Sequence, residues 1–481
     1  MGSSTQKQSQ LALDLVETGD ANQDASAVTT HIPDGISQRM LYNDIVHIAW
    51  PSLVELTLTQ LTSMADLMMV GQLGAWAITA VGLSTQPKFL LQTAFMAMNV
   101  GATAMVARYK GAGEQEKANG IMRQALLMTL IFAVISSIVG FIFSEPLIRF
   151  MGGNDDLQAI NGGTAYLQIQ MLGLVGFALT STITAVLRGV GNSRTAMIYN
   201  LVANIVNIIF NYILIYGHFG APRLEVAGAS LATIIGQFVA MILAFISVIG
   251  GKYYLHLRLR DGFMPDWEAI GKIVKIGIPA MIEQLVMRIG MIIYSKTVAS
   301  LGTVSFATHQ ICMNVQALSF MTGQAFSVAA TSLVGQSLGK KRPDMAQAYS
   351  LRTRRIGMCV ALLLTFIFFF FGRYIVACYN TDPVILDTGA RILMFVAFVQ
   401  PFQSSQFILS GALRGAGDTK SVAKIIFVTV LLVRPGMALL LINLFHWGLE
   451  GAWVALVCDQ LLRTLLVWRR YNSGKWKTIR V

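Results

Sequence analysis

Asp66 is an acidic residue inside an apolar stretch, between "LTSMA" and "LMMVGQLG". A carboxylate within a membrane-spanning helix costs roughly 2.5–3.5 kcal/mol on insertion scales, so an acid in such a place is a functional candidate by default. Glu55 precedes it by three helical turns and returns to within about 20° of the same helix face. This face of the first apolar segment is therefore a candidate site.

Four asparagines recur in a second apolar stretch, "YNLVANIVNIIFN", at residues 199–211. At about 100° per residue, the spacing places Asn200, Asn204, Asn207 and Asn211 within roughly 60° on a helix, and we call this set the asparagine stripe. Amide and carboxylate oxygens are hard ligands suited to Na⁺, and a carboxylate also binds and releases protons. A stripe of this kind is typical either of a cation site in a hydrated cavity or of hydrogen bonds between helices.

The elements that must position these residues are membrane helices. Of the 481 residues 54% are hydrophobic and 12% are charged, against about 25% charged residues in soluble domains, and the mean hydropathy is +0.60. About 20 apolar residues cross a bilayer, which predicts an all-α membrane protein with twelve transmembrane helices. The predicted spans are 45–72, 79–107, 122–143, 161–186, 196–216, 227–249, 270–300, 305–336, 355–376, 386–412, 421–444 and 450–468.

The placement of basic residues predicts the orientation. The net charge is +12, yet with the N-terminus inside the cell the outer loops hold only Arg149, Arg223 and Arg373. Because lysine and arginine concentrate in cytoplasmic loops, we expect both termini in the cytoplasm, the plasma (inner) membrane as the location, and no nucleic-acid partner. The predicted organisation is a flexible cytoplasmic tail (1–40), a six-helix bundle (41–250), a cytoplasmic linker (251–269), a second bundle (270–470) and a basic cytoplasmic tail (471–481).

An internal repeat relates the two bundles. "WPSLVEL" (50–56) parallels "IPAMIEQ" (278–284), and "GATAMVARYKG" (101–111) parallels "AATSLVGQSLG" (329–339), both at an offset of 228 residues. Six spans separate equivalent positions, so both halves enter the membrane with the same polarity. This predicts two pseudo-symmetric six-helix bundles related as a parallel repeat, which is a common construction of secondary transporters.

The repeat also shows that the polar residues belong to one half. Asp66 is equivalent to Tyr294, and the asparagine stripe is equivalent to Ile426, Val430, Val433 and Met437. Generic helix contacts would be needed in both halves. The asymmetry therefore favours a hydrated polar cavity beside Asp66.

Several motifs together resemble the multidrug and toxic compound extrusion (MATE) family. They are "PSLVELTLTQLTSMADLMMVGQLG" in span 1, "LRGVGNSR" and "LRGAGDTK" after spans 4 and 10, and "GIPAMIEQLVMRIG" in span 7. The resemblance covers about residues 40–470. It implies a V-shaped pair of bundles that exchanges entering Na⁺ or H⁺ for organic, often cationic, compounds leaving the cell.

The resemblance also implies a cation site made of Asp66, Asn207, Asn211 and Thr233, with Asp66 and Asn207 as ligands of Na⁺. Asn211 stands where the family usually has aspartate, which leaves the ion and its stoichiometry open. The same resemblance suggests that Pro51 lets span 1 bend when the ion binds.

Other polar residues are supporting candidates: Glu55, Asn200, Asn204 and Glu283. Arg288 is a possible partner of Glu283, whereas the orientation rule accounts for Arg188 and Arg414 as loop charges. We expect small organic substrates and membrane lipids as partners, a monomer, and no cofactor besides the coupling ion.

Two other functions compete with cation-coupled export. A lipid-linked saccharide flippase of the related superfamily would need a cationic cleft, and the deep basic residues (Lys88, Arg288, Lys296, Arg391, Arg434, Arg463) are spread over several spans. A membrane enzyme would need a nucleophile–base or metal-ligand cluster, and the sequence has no HExxH motif and no paired aspartates on a shared helix face. Export is therefore the favoured prediction.

Overall fold

The computed structural model describes residues 36–151, 157–251, 253–258, 262, 264–379 and 382–479. The predicted N-terminal tail therefore lies almost entirely outside the described residues. Within them all regular structure is helical, which confirms the predicted fold class. Twelve long helices follow the chain: α1 Gln38–Gly71, α2 Ala75–Ala112, α3 Gln115–Ile142, α4 Leu157–Gly189, α5 Ser193–Tyr216, α6 Glu225–Ile249, α7 Trp267–Ala299, α8 Thr303–Gly339, α9 Pro343–Ala377, α10 Pro383–Gly415, α11 Thr419–Asn443 and α12 Gly448–Asn472.

Eleven of these helices in the described part of the chain are long and apolar enough to cross a membrane. The exception is α1, which at 34 residues is long enough but carries Glu55, Gln60 and Asp66. Because α1 packs among membrane-spanning helices, it is the first span of an integral membrane protein. Shorter helical pieces are Ser144–Phe150, His218–Gly220 and Lys475–Thr478.

The repeated motifs encode repeated turns. Gly74 and Gly302, at equivalent positions after α1 and α7, have φ of 122° and 102°. Gly191 and Gly417, after α4 and α10, have φ of 80° and 86°. Backbone of this kind is strained for residues with a side chain, so these turns require glycine. The sequence repeat is thus also a structural repeat.

The helices form two lobes, α1–α6 and α7–α12, that meet along a pseudo-two-fold seam. At its centre α2 packs on α8, while α1 packs on α8 and α7 packs on α2 in equivalent ways. A Cβ atom at Gly111 would collide with the backbone carbonyl of Gln336, and a Cβ at the equivalent Gly339 would collide with that of Arg108. The two contacts are reciprocal, because 108 and 336 are also equivalent positions. Only glycine permits so close an approach of the two lobes at this end.

The C-terminal residues pack against the same end of the seam. Trp476 is buried, stacks on Tyr471 with ring centroids 5.1 Å apart, and donates from Nε1 to the Tyr471 carbonyl at 2.8 Å. Arg108 of the first lobe donates to the carbonyl of Ile479 at 2.8 Å. These contacts link the end of the chain to both lobes.

α11 differs from its counterpart α5 in its winding. It is α-helical over Thr419–Ile426, π-helical over Phe427–Val433 and α-helical again over Arg434–Asn443. The π-helical turns begin one residue after the equivalent of Asn200 and contain those of Asn204 and Asn207. Single π turns inside α-helices often occur at functional sites or where side chains are re-aimed. Here the next residue is the buried Arg434.

Candidate coupling site and central cavity

Asp66 lies in a hydrogen-bonded cluster made by three helices of the first lobe. Asn211 of α5 donates from Nδ2 to Oδ1 of Asp66 at 2.5 Å and contacts Oδ1 of Asn207 at 3.3 Å. Asn207 contacts the Thr233 hydroxyl of α6 at 3.2 Å. The four residues that the family resemblance selects are thus brought together.

The side-chain amide of Asn207 makes better hydrogen bonds when it is rotated so that its oxygen and nitrogen exchange places. Its nitrogen then donates to Oδ1 of Asp66 at 2.9 Å, and its oxygen accepts from both the hydroxyl and the backbone N–H of Thr233 at 3.2 Å. In this orientation both amides of the cluster donate to the carboxylate. The cluster is therefore internally bonded around Asp66.

The donor set of this cluster fits a hard cation. It offers a carboxylate, two amide oxygens and a hydroxyl, which are the oxygen ligands that such ions prefer. Oδ1 of Asn211 is buried and has no hydrogen-bond partner, and buried polar atoms are normally paired. An ion or a proton relay near Asp66 would satisfy this atom.

The asparagine stripe meets α1 in register. Asn200 donates to Glu55 at 2.6 Å, Asn204 to Thr59 at 3.2 Å and Asn211 to Asp66 at 2.5 Å, each pair 145 residues apart. The stripe therefore faces a helix and not the open hydrated cavity that the asymmetry suggested. Asn200 and Asn204 bridge helices, whereas Asn207 and Asn211 are buried around Asp66.

Lys88 of α2 is the charged side chain that interacts with this cluster. It interacts electrostatically with the Asp66 carboxylate, although the two do not form a direct ion pair. Its ammonium lies 5.7 Å from the centre of the Phe89 ring. Sequence reasoning assigned Lys88 only to the flippase alternative and did not connect it with Asp66.

Two equivalent ion pairs lie deep in the two lobes. Glu55 of α1 pairs with Arg188 of α4 at 2.8 Å, and Glu283 of α7 pairs with Arg414 of α10. The expectation that Arg288 pairs with Glu283 is therefore wrong, and the orientation rule is insufficient for Arg188 and Arg414. The signal was present in the sequence, since both the acids and the arginines occupy equivalent positions of the repeat.

A third charged cluster lies in the second lobe, and sequence reasoning noted its two arginines but not the acid that joins them. Asp459 of α12 is fully buried and pairs with Arg434 at 2.5 Å and with Arg463 at 2.6 Å. Arg463 also donates to the Thr429 hydroxyl within the π-helical turns at 3.2 Å. The cluster retains one positive charge, because two guanidinium groups share one carboxylate.

Between the lobes lies a cavity of about 670 Å³, which we call the central cavity. Its walls come from α2 and α4 of the first lobe and mainly from α7, α8 and α10 of the second. Residues of the asparagine stripe and Asp66 do not line it. The candidate coupling site and the candidate substrate cavity are thus separate and joined through α1, α2 and α4.

Two six-helix lobes related as a parallel repeat, with a cavity between them, are the architecture of a membrane transporter. The MatE family model matches residues 51–213 and 279–439, one segment in each lobe. The chain belongs to the MatE family. The resemblance noted from the motifs is confirmed.

Curated relatives support the same assignment. The probable multidrug resistance protein NorM of Thermotoga maritima is 30% identical over 440 residues, which is 90% of this chain and 93% of that protein. The multidrug resistance protein MdtK of Yersinia pestis is 27% identical over 410 residues, covering 84% and 89% of the two chains. Transporters of this family with multidrug resistance names are thus similar over nearly the whole chain.

Solved structures share the fold. An outward-facing multidrug resistance MATE transporter superposes with a TM-score of 0.84 at 22% identity, over 91% of this chain and 96% of that one. A MOP superfamily transporter from Pyrococcus furiosus superposes with the same score and identity, over 91% and 97%. The two-lobe arrangement is therefore that of known transporters.

Proposed function

We propose that this chain is a cation-coupled antiporter that exports small amphipathic organic compounds by alternating access of its two lobes. Asp66, with Asn207, Asn211 and Thr233, binds the entering Na⁺ or H⁺, and the central cavity takes the organic substrate. The multidrug resistance names of the relatives support the substrate class. The protein works as a monomer in the plasma (inner) membrane with both termini in the cytoplasm.

The observation that carries this proposal is the convergence on Asp66. Two buried amides donate to one half-buried carboxylate, and one further amide oxygen beside it has no partner. The carboxylate and this unpaired amide oxygen could together accept one cation, or the carboxylate could accept one proton. Occupation of the site would rearrange the contacts between α1 and α5, and α1 also packs against the opposite lobe. Pro51, inside α1, removes one backbone hydrogen bond and gives the helix a place to adjust.

The test uses proteoliposomes under an imposed Na⁺ or H⁺ gradient, with ethidium as a cationic dye and anilinonaphthalene sulfonate as an anionic one. We expect the wild type to move at least one dye under one gradient. Asp66→Asn should reduce that movement by about tenfold or more, because it removes the charged ligand of the cation. Asp387→Asn, which affects an exposed ion pair with Arg373, is the control and should transport normally.

Movement of neither dye by folded wild-type protein contradicts the proposal. Equal gradient-driven movement by Asp66→Asn and wild type moves the coupling site elsewhere, with Glu55 and Glu283 as the next residues to exchange.

A lipid-linked saccharide flippase is the second candidate function. One observation favours it over the sequence-based expectation: Arg288 and Arg463, which lie on different helices, line the same cavity together with Arg188 and Arg414. A cationic cleft is what such a substrate would require. Translocation of a labelled anionic lipid, without movement of either soluble dye, would favour this function.

A further inference from the structure

The central cavity is unbalanced in charge. Four arginines line it (Arg188, Arg288, Arg414 and Arg463), and one carboxylate, that of Glu283, faces them. In a membrane interior an uncompensated charge is expensive, so such residues normally pair with one another. The pairing of these groups therefore determines what the cavity still lacks.

After the ion pairs are counted, two positive charges at the central cavity remain without a carboxylate partner. Glu55 neutralises Arg188, and Glu283 neutralises Arg414. Asp459 neutralises only one of its two partners, so one charge remains on the cluster that reaches the cavity through Arg463. Among the ion pairs of the described residues none includes Arg288, so its charge is the second.

Arg288 is held in place without being neutralised. Its guanidinium lies 4.3 Å from the centre of the Phe89 ring on the opposite lobe, and the side chain is half-buried. Stacking on an aromatic face fixes the orientation of a guanidinium while its N–H groups remain free to donate. Arg288 is therefore the group of the cavity best placed to receive an anion from solution.

The rest of the wall is apolar and adaptable. Met96, Met287 and Met321 line the cavity, as do Phe320 and Phe407, whose rings lie edge to face at 5.2 Å. Methionine and aromatic surfaces accept apolar bodies of varied shape. The cavity thus combines a surplus of positive charge with a surface for a hydrophobic body.

From these features we infer that the central cavity takes amphipathic organic anions, with a carboxylate, sulfonate or phosphate group at Arg288 and the apolar body against the methionines and phenylalanines. The inference rests on the proposed export function and specifies its substrate class. It differs from the cationic substrates that the family resemblance implies. The anionic group belongs either to a soluble organic acid or to a lipid headgroup.

The experiment compares anilinonaphthalene sulfonate with ethidium in proteoliposomes of wild type, Arg288→Gln and Arg288→Lys. A labelled phosphatidylglycerol, with a labelled phosphatidylcholine for comparison, serves as the lipid probe. We expect Arg288→Gln to reduce sulfonate transport by about tenfold or more, as for the loss of a charge-assisted hydrogen bond. Arg288→Lys should recover part of it, and the exposed control Arg373→Gln should match wild type.

The outcomes separate the inference from the proposed function. Sulfonate transport that depends on Arg288 supports a soluble acid, and phosphatidylglycerol movement that depends on Arg288 assigns the anionic group to a lipid. Transport of ethidium alone overturns the inference and leaves the export function standing. Equal losses of both dyes in Arg288→Gln also overturn it, because a structural role would act on both. Movement of none of the probes by folded wild type overturns both claims.

Discussion

The two lobes use the same pair of helices in opposite ways. In the first lobe α1 and α5 meet through a row of hydrogen bonds that includes the Asp66 carboxylate and continues to the Tyr216 hydroxyl, which donates to the Met69 carbonyl. In the second lobe the equivalent α7 and α11 meet mainly through apolar packing, where Gly290 lets Val430 approach closely. The polar contacts between them are a hydrogen bond from Thr419 to the Ile276 carbonyl at 3.0 Å and the stacking of Arg434 over the Tyr294 ring at 5.7 Å. Tyr294, the equivalent of Asp66, donates to the carbonyl of Ala452 at 2.8 Å.

This difference indicates which lobe is able to change its contacts. Hydrogen bonds between polar side chains of membrane helices contribute only about 0.6 kcal/mol on average, so they exchange partners at low cost. Close packing against a glycine does not exchange in this way. The α1–α5 contact is therefore the adaptable one, and the α7–α11 contact is the fixed one.

Replacing a carboxylate by an amide should give the largest difference in stability between the two lobes. Asp459→Asn leaves two buried guanidinium groups without a charge partner, and breaking a buried ion pair costs about 3–5 kcal/mol. We expect a large loss of unfolding free energy in detergent micelles, measured by thermal or denaturant unfolding. Asp66→Asn, at a half-buried acid whose hydrogen-bond partners are neutral amides and which forms no direct ion pair with Lys88, is the comparison and should change stability less. Similar losses in the two variants would remove the distinction between a structural and a coupling carboxylate.

Substitutions at the two reciprocal glycine contacts should have equal effects, because the two lobes are alike at this place. Gly111→Ala and Gly339→Ala each place a methyl group against a backbone carbonyl of the other lobe, and overpacking of this kind costs about 1–3 kcal/mol. The two variants should be destabilised by similar amounts and should move the two lobes apart at this contact, as measured by the distance between spin labels on the two lobes. Gly120→Ala, in α3 with nothing near its Cβ position, is the control. Strongly unequal effects of the first two variants would contradict the reciprocity.

The smallest effects are expected where the first lobe is made to resemble the second. Asn204→Val and Asn207→Val give the first lobe the valine that the second lobe has at the equivalent positions, Val430 and Val433. Each substitution removes interhelical hydrogen bonds, which contribute about 0.6 kcal/mol on average. Stability should hardly change in either variant. Gradient-driven dye transport should fall only in Asn207→Val, because Asn204 bonds to Thr59 and lies outside the Asp66 cluster. Equal loss of transport in both variants would extend the coupling site along the whole stripe.

Sequence reasoning succeeded where the information was local or repeated. Apolar length predicted the spans, and the repeat predicted the equivalence of the lobes. The meeting of Asp66 with Asn207 and Asn211 followed from helix faces together with the family resemblance. In the first two cases the relevant residues lie on one helix or in one recurring motif, whereas in the third the family resemblance supplied the contact between two helices.

The rest depended on which helices become neighbours. The partner of Glu283 could not be read from α7 alone, since Arg414 lies 131 residues away on α10. Asp459 escaped notice because its arginines are divided between α11 and its own helix. The charge of the central cavity depends on how the lobes are placed against each other, and no single segment carries that information.

The reciprocal contact of Gly111 and Gly339 has the geometry of an isologous dimer interface, in which the same patch is used twice. In a homodimer a single substitution would alter both halves of such a contact at once, and every polar residue would be duplicated. Fusion of the two repeats into one chain frees each half to vary alone. That freedom is what allows an aspartate in α1 and a tyrosine at the same place in α7, so that one lobe specialises while the shared contact surface is retained.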